Sequence, residues 1–201
     1  MNFTILEISI VTFLLAVSGA IAQFPIGKLS DIYDRRKVIV FSTFGAAVFS
    51  ILAILVSRQM YLPDGLATSK TWFYIFFILF SFCSLPMFSL ILAHTNDYIP
   101  KEKFVAAGAG LQFAFGLGAM SGPFLCSIFM DLVGSNGFFI FLFLFHSVIG
   151  IYGIHRMRVR QTVDNPDSQF VAMPQTITPA GIELNPTTEP IDEPIKEENK
   201  F

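Results

Sequence analysis

The apolar segment ILEISIVTFLLAVSGAIAQFPI at residues 5–26 is followed by the charged segment GKLSDIYDRRK at residues 27–37 and a second apolar segment, VIVFSTFGAAVFSILAILVS, at residues 38–57. Glu7 is the only ionisable residue in the two apolar segments. Both reach the roughly 18–20 residues that an α-helix needs to cross a bilayer. This arrangement predicts two transmembrane helices joined by a short charged loop at residues 27–36.

The rest of the chain continues the pattern. Of its 201 residues, 53% are hydrophobic and 14% are charged, against about 25% charged residues in an ordinary soluble domain. Hydropathy predicts about five membrane-spanning helices, at residues 3–26, 37–57, 72–93, 104–130 and 137–154. We therefore predict an all-α membrane protein whose partner is the lipid bilayer, with its transmembrane helical bundle in residues 1–160.

Positive charge is concentrated in three segments, which follow the first, third and fifth predicted spans. Because cytoplasmic loops retain Lys and Arg, these segments predict an N-terminus outside and a C-terminus in the cytoplasm. The net charge of −2, without a basic patch interleaved with aromatics, argues against a nucleic-acid partner. The basic residues of these three segments are Lys28, Arg35, Arg36, Lys37, Lys101, Lys103, Arg156, Arg158 and Arg160.

Residues 161–201 differ from the rest in composition, because apolar runs vanish and Pro, Thr and acidic residues recur. Such a segment has too few large apolar groups to offset the entropy lost on ordering. We predict a disordered acidic cytoplasmic tail.

The charged loop resembles the signature loop of the major facilitator superfamily, Gly-x-Leu-(Ala/Ser)-Asp-(Arg/Lys)-x-Gly-(Arg/Lys)-(Arg/Lys). Ile32 and Asp34 depart from the signature, where the family has a basic residue and a glycine. The matching residues are Gly27, Leu29, Ser30, Asp31, Arg35 and Arg36.

The resemblance implies a cytoplasmic gate formed by Gly27, Asp31, Arg35 and Arg36, which we call the gate motif. Glycine at a helix end lets another helix approach closely, and a carboxylate can face helix N-terminal amides or pair with arginine. The alternative is that the basic residues only fix the membrane topology. Both interpretations stay open for them, whereas Gly27 and Asp31 favour the gate.

The context QFPIG at residues 23–27, with DRR at residues 34–36, resembles the second occurrence of the signature, particularly in YcaD-like bacterial transporters. The span ending AHTND at residues 93–97 is similar to the end of the tenth span in the same branch. This resemblance implies that the spans correspond to about the eighth through twelfth of a twelve-span fold. The C-terminal bundle would then lack the seventh span and the N-terminal half, which becomes an expected partner.

The fourth predicted span is rich in glycine, including Gly118 and Gly122 followed by Pro123. Small residues about four positions apart let transmembrane helices pack at close range, and proline can open the helix for bending. We predict that Gly118, Gly122 and Pro123 are helix-packing residues.

Three polar residues within the spans are candidate substrate or proton contacts. Glu7 could bind a proton or cationic substrate, or reach the headgroups. Gln112 could contact substrate or make an interhelical hydrogen bond. His146 could couple transport to protons, although a packing role suits the peripheral position of the twelfth span.

The sequence therefore favours a secondary transporter that moves a small solute, with proton coupling expected from the family, in the cytoplasmic (inner) membrane of a bacterium. The alternative is a non-transporting membrane interaction or accessory protein, or a truncated remnant. No motif indicates an enzyme, a cofactor or a metal site. The cluster of His94, Asn96 and Asp97 has too few ligands for a metal and is interpreted as helix-end capping.

Overall fold

A computed structural model describes residues 4–59, 66–159 and 170–173. All regular structure in these ranges is helical. Short 3-10 turns at Lys101–Lys103 and Gly134–Asn136 precede the fifth and sixth helices. The α-helices are α1 (Ile5–Ile32), α2 (Arg35–Gln59), α3 (Leu66–Ser84), α4 (Met87–Asn96), α5 (Phe104–Val133) and α6 (Gly137–Val159).

Four helical segments in the described part of the chain are long and apolar enough to cross a membrane: Ile5–Ile32, Arg35–Ser57, Lys70–Asn96 and Phe104–Val159. The last comprises α5 and α6, which fold back on each other, since the rings of Phe129 and Phe141 have centroids 5.7 Å apart. The all-α membrane fold is thus confirmed.

The predicted loop at residues 27–36 is wrong in extent. Residues 27–32 continue α1, and α2 begins at Arg35, so that Tyr33 and Asp34 alone connect the two helices. Hydropathy locates the bilayer boundary, whereas a helix can continue into water with polar residues such as Lys28 and Asp31. The side chain of Ser30 is accommodated within the helix, because its hydroxyl donates to the Gly27 carbonyl at 2.7 Å.

The predicted third span is divided into α3 and α4 at Leu85 and Pro86. Proline interrupts the helical hydrogen-bond ladder because it has no backbone N–H. Gly19 of α1 lies against this break, where a Cβ atom added to the glycine would overlap the Leu85 side chain. The absence of a side chain at Gly19 thus lets α1 approach α3 closely.

The centre of the bundle is α2, which packs against both α3 and α6. Its buried side chains are mostly small, as expected where transmembrane helices associate by close backbone approach rather than by burying large apolar groups from water. Large apolar side chains instead face outward on every long helix, toward lipid. The small buried residues of α2 are Ser42, Thr43, Ala46, Ala47, Ser50, Ala53 and Ser57.

The two ends of the bundle differ. At one end α1 passes into α2, and we call this the charged end, defined by Asp31, Asp34, Arg35, Arg36 and Asp97. At the opposite end, the Ser57 hydroxyl donates to the Asn136 side-chain oxygen at 2.9 Å. There Phe73 and Phe77 of α3 each pack edge-on against Phe139 of α6, with ring centroids 5.4 Å apart.

Four residues of the predicted disordered tail, residues 170–173, are described, and we call them the tail segment. They have no regular secondary structure, but they lie against α1 and α4. Met173 is only 6% exposed. The disordered tail stays a prediction, since residues 161–169 and 174–201 lie outside the described residues.

Candidate functional site

The gate motif lies where α1 ends and α2 begins. Gly27 and Asp31 are one helical turn apart on α1, and Arg35 and Arg36 form the start of α2. The extended backbone of Tyr33, with φ −109° and ψ 163°, ends α1. The connection is short, so the carboxylate and the guanidinium groups are held near one another.

Asp34 organises the start of α2. Its backbone carbonyl accepts hydrogen bonds from the amides of Lys37 and Val38, and its side chain accepts from the amide of Arg36 at 3.0 Å. The same carboxylate forms an ion pair with the Arg36 guanidinium at 2.9 Å. An acidic residue suits this place, because the first amides of a helix lack helical partners. The departure from glycine at Asp34 thus supplies a helix cap and fixes Arg36.

Arg35 is the centre of the charged end. Its guanidinium forms ion pairs with Asp31 at 3.1 Å and with Asp97 at 2.8 Å, and its side chain is only 7% exposed. Asp97 follows directly after α4, so one guanidinium joins the ends of α1 and α4 to the start of α2. Losing one member of such a buried pair leaves an uncompensated charge. This arrangement can hold three helix ends together and can be broken as a unit.

Asp31 has a further partner, because its carboxylate accepts the backbone N–H of Phe170 at 2.8 Å. Asp31 was predicted to face helix N-terminal amides or to pair with arginine. Within the described residues, it is Asp34 that accepts such an amide, while Asp31 binds Arg35 and the tail segment.

Gly27 is a point of close approach, although its neighbour is not the helix that was predicted for the gate motif. A Cβ atom added to it would overlap the ring of Phe170. In this structure the close neighbour is thus the tail segment.

Glu7 has partners that give it a structural role. It forms a capping box with Thr4 at the start of α1, and its carboxylate binds the Lys70 ammonium at 3.0 Å. The ion pair links α1 to α3 at the opposite end of the bundle. This geometry fits an ion pair near the headgroups.

His146 of α6 also links two helices. Its Nδ1 atom lies 2.8 Å from the Leu142 carbonyl, which can only accept, so this nitrogen carries the hydrogen. Its Nε2 atom then accepts from the Ser84 hydroxyl at 3.0 Å, next to the break between α3 and α4. The ring of Phe80 packs edge-on against the imidazole at 5.3 Å. His146 therefore fits the packing interpretation of the sequence.

Gln112 and the α5 glycines have fewer neighbours. The buried Oε1 atom of Gln112 has no hydrogen-bond partner among the described residues. No atom of the described chain lies within 4 Å of a Cβ atom added to Gly118 or Gly122. The predicted close helix packing at these glycines is therefore not made by the described helices. Pro123 lies within α5 and lines a cavity of about 550 Å³ between α5 and α6, with Gly122.

Sequence reasoning missed two contacts at the charged end. Asp97 was assigned to helix capping, although its carboxylate binds Arg35, which is 62 positions earlier. The tail segment was assigned to disorder. A local motif carries no signal for either contact, because both join residues that are distant in the sequence.

These observations define a multi-pass membrane protein with a charged end built from a signature loop. The model of the Major Facilitator Superfamily matches residues 1–187. The chain belongs to the major facilitator superfamily.

Individual relatives agree with this assignment. The chain is 26% identical over 160 residues to the uncharacterized MFS-type transporter YE1530 of Yersinia enterocolitica, covering 80% of this chain and 37% of the relative. It is 28% identical over 134 residues to the uncharacterized MFS-type transporter YfkF of Bacillus subtilis, covering 64% of this chain and 30% of the relative. The chain thus spans about a third of the length of these curated relatives. No solved structure matches it.

Proposed function

We propose that this chain is the C-terminal part of a secondary transporter that moves a small solute by alternating access, and that the gate motif closes the cytoplasmic side. The carrying observation is the position of Arg35, which joins three helix ends through Asp31 and Asp97. Alternating access requires a closure at one end that is strong when formed and can be released as a unit. A buried guanidinium shared by two carboxylates has these properties.

The proposed partner is an N-terminal transporter half. The α5 glycines support this, because their close-packing surface has no neighbour within the described residues. The partial coverage of the curated relatives supports it independently. Substrate contacts would then come from both halves. Gln112 is the candidate from this chain, because its buried Oε1 atom has no hydrogen-bond donor among the described residues.

The orientation and setting are part of the same proposal. The basic residues of the loop and of the end of α6 favour a cytoplasmic charged end, an outside N-terminus and a bacterial inner membrane. A place in the YcaD-like branch stays a prediction from the sequence. Proton coupling is proposed from the family, although the partners of Glu7 and His146 give both residues structural roles.

Transport in membrane vesicles tests the proposal. We would measure uptake and efflux of a broad solute panel by this chain alone and by the chain fused to a preceding transmembrane half. Each form would be compared with an Asp31→Asn variant and with Asp131→Asn as a control, because Asp131 is an exposed carboxylate at the opposite end. Transport by the fused form alone, slowed by Asp31→Asn and not by Asp131→Asn, is the expected result.

Full-rate transport by the short chain carrying Asp31→Asn would overturn both the partial-transporter assignment and the gate. Assembly of the fused form without transport of any solute would favour the accessory or remnant alternative. The same vesicle measurements thus distinguish the partial transporter from the accessory or remnant alternative.

A further inference from the structure

The tail segment is anchored to the bundle at both of its ends. At its start, the Phe170 N–H donates to Asp31 of α1 at 2.8 Å. At its end, the Ser89 hydroxyl of α4 accepts from the Met173 N–H at 3.1 Å and donates to the Met173 carbonyl at 2.8 Å. These bonds use backbone groups of the tail, so the four-residue segment lies across α1 and α4 in one defined position.

Apolar contacts support the same position. The Phe170 side chain packs against the core cluster formed by Ala22, Ile26, Val38 and Leu90. Met173 is 6% exposed and Ser89 is 2% exposed, so the second anchor is withdrawn from solvent. A hydrogen bond shielded from water is harder to replace than an exposed one.

The seat of Phe170 coincides with the gate motif. The ring lies where a Cβ atom of residue 27 would be, so only glycine leaves room for it. Any other helix that approached α1 closely at Gly27 would need the same space. The tail segment and such a helix therefore cannot occupy this surface together.

The tail can reach this surface from the end of α6. Gly150 and Gly153 of α6 lie against Phe44 and Val40 of α2, so α6 runs toward the start of α2 and the charged end. The residues 160–169 separate α6 from the tail segment, and a chain of this length can extend roughly 35 Å.

We propose that residues 170–173 are an intramolecular strap, a tethered peptide that binds the groove between α1 and α4 and covers Gly27 against other helices. The contact itself does not depend on transport. Its consequence, that the strap must leave before another helix can pack on Gly27, rests on the proposed function. The strap would thus act as an autoinhibitory contact on the gate motif.

Photocrosslinking in membranes containing the full chain tests the strap. Benzoylphenylalanine at position 170 keeps an aromatic ring at the seat, whereas the same residue at position 172 is the matched control, because Ala172 is exposed. Crosslinks are mapped by mass spectrometry. We expect position 170 to crosslink to α1 around Gly27 with a yield about fivefold or more above that of position 172.

A pair of glycine variants sharpens this test. Gly27→Leu fills the seat, whereas Gly110→Leu adds the same side chain to a helix surface where a Cβ atom has no neighbour within 4 Å among the described residues. Gly27→Leu should abolish the crosslink from position 170, and Gly110→Leu should preserve it. Ser89→Ala, which removes the second anchor, should lower the yield without filling the seat.

Equal yields from positions 170 and 172, or equal yields in the Gly27→Leu and Gly110→Leu variants, would overturn the strap. Helix content measured by circular dichroism in detergent identifies any variant that fails to fold. If Gly27→Leu fails to fold, the strap is tested by whether Ser89→Ala lowers the crosslink yield. A fused form that assembles and transports no solute, while position 170 still gives the crosslink, would contradict the proposed function and keep the strap.

Discussion

The charged end and the glycine-rich helix α5 differ in whether their residues have interaction partners within the described part of this chain. At the charged end, Asp31 and Asp97 share Arg35, and Asp34 holds Arg36. On α5, by contrast, a Cβ atom added to Gly118 or Gly122 has no neighbour within 4 Å among the described residues. The ion pairs of the charged end are thus formed within this chain, whereas the glycine surface of α5 is the one proposed to receive a further helix. Variants at the two regions should therefore behave differently in the isolated chain.

The largest expected effect is at Arg35. Arg35→Met removes the shared cation and leaves Asp97 buried without its ion-pair partner, so we expect the free energy of unfolding to fall by about 3 kcal/mol. Thermal and denaturant unfolding in detergent measures this loss. Lys28→Met is the control, because Lys28 is exposed, and should change stability by less than about 0.5 kcal/mol. Equal losses in the two variants would show that the charged end does not hold the helix ends together.

The glycines come next. Gly19→Leu forces a side chain into the space of Leu85, and we expect a loss of about 1–3 kcal/mol in unfolding free energy. Gly118→Leu meets no neighbour among the described residues and places a better helix former on α5, so stability should change by less than about 1 kcal/mol in the isolated chain. Comparable destabilisation by both variants would mean that the α5 surface already has a partner in this chain.

The two acidic partners of Arg35 should not be equivalent. The Asp97 side chain is 13% exposed and the Asp31 side chain 34% exposed. We expect Asp97→Asn to cost about 1–2 kcal/mol of unfolding free energy and Asp31→Asn less, because water screens the more exposed pair. A larger loss from Asp31→Asn would reverse this order, and would indicate that the contact of Asp31 with the tail segment dominates.

The smallest effect is expected at His146. His146→Phe keeps an aromatic ring but loses the hydrogen bonds to Ser84 and Leu142, which should cost about 0.5–1 kcal/mol. His155→Phe is the control, because His155 is exposed on the same helix. If His146→Phe left stability unchanged and abolished transport by the fused form, the packing interpretation would fail and the proton role would be favoured.

The sequence was sufficient for features set by hydropathy and local spacing. Apolar segments of bilayer length gave the helices, and the signature residues 27–36 gave the family before any contact was known. The sequence was not sufficient for the helix ends. Hydropathy indicates where the bilayer ends, whereas α1 continues beyond that point to Ile32. Pro86 shows the same limit, since its effect depends on whether neighbouring helices accommodate the break.

Only those residues of the candidate site that are close together in the sequence were predicted from it. Gly27, Asp31, Arg35 and Arg36 are close in sequence, so the signature identified them together. Asp97 joins Arg35 from the end of α4, after α2 and α3, and pairings of this kind depend on how the helices pack. The tail segment was hidden for a compositional reason, because Phe170 and Met173 are isolated apolar residues in a polar, Pro-rich tail.

The most direct test of the account is assembly with the proposed N-terminal half. We would express this chain with a separately encoded N-terminal transporter half and measure how much of that half copurifies with the wild-type chain, with Gly118→Leu and with Lys28→Met. The account predicts capture by the wild type and by Lys28→Met, and a loss of capture with Gly118→Leu although that variant is stable alone. Undiminished capture by Gly118→Leu would contradict the claim that the glycine surface of α5 is the seat of the other half.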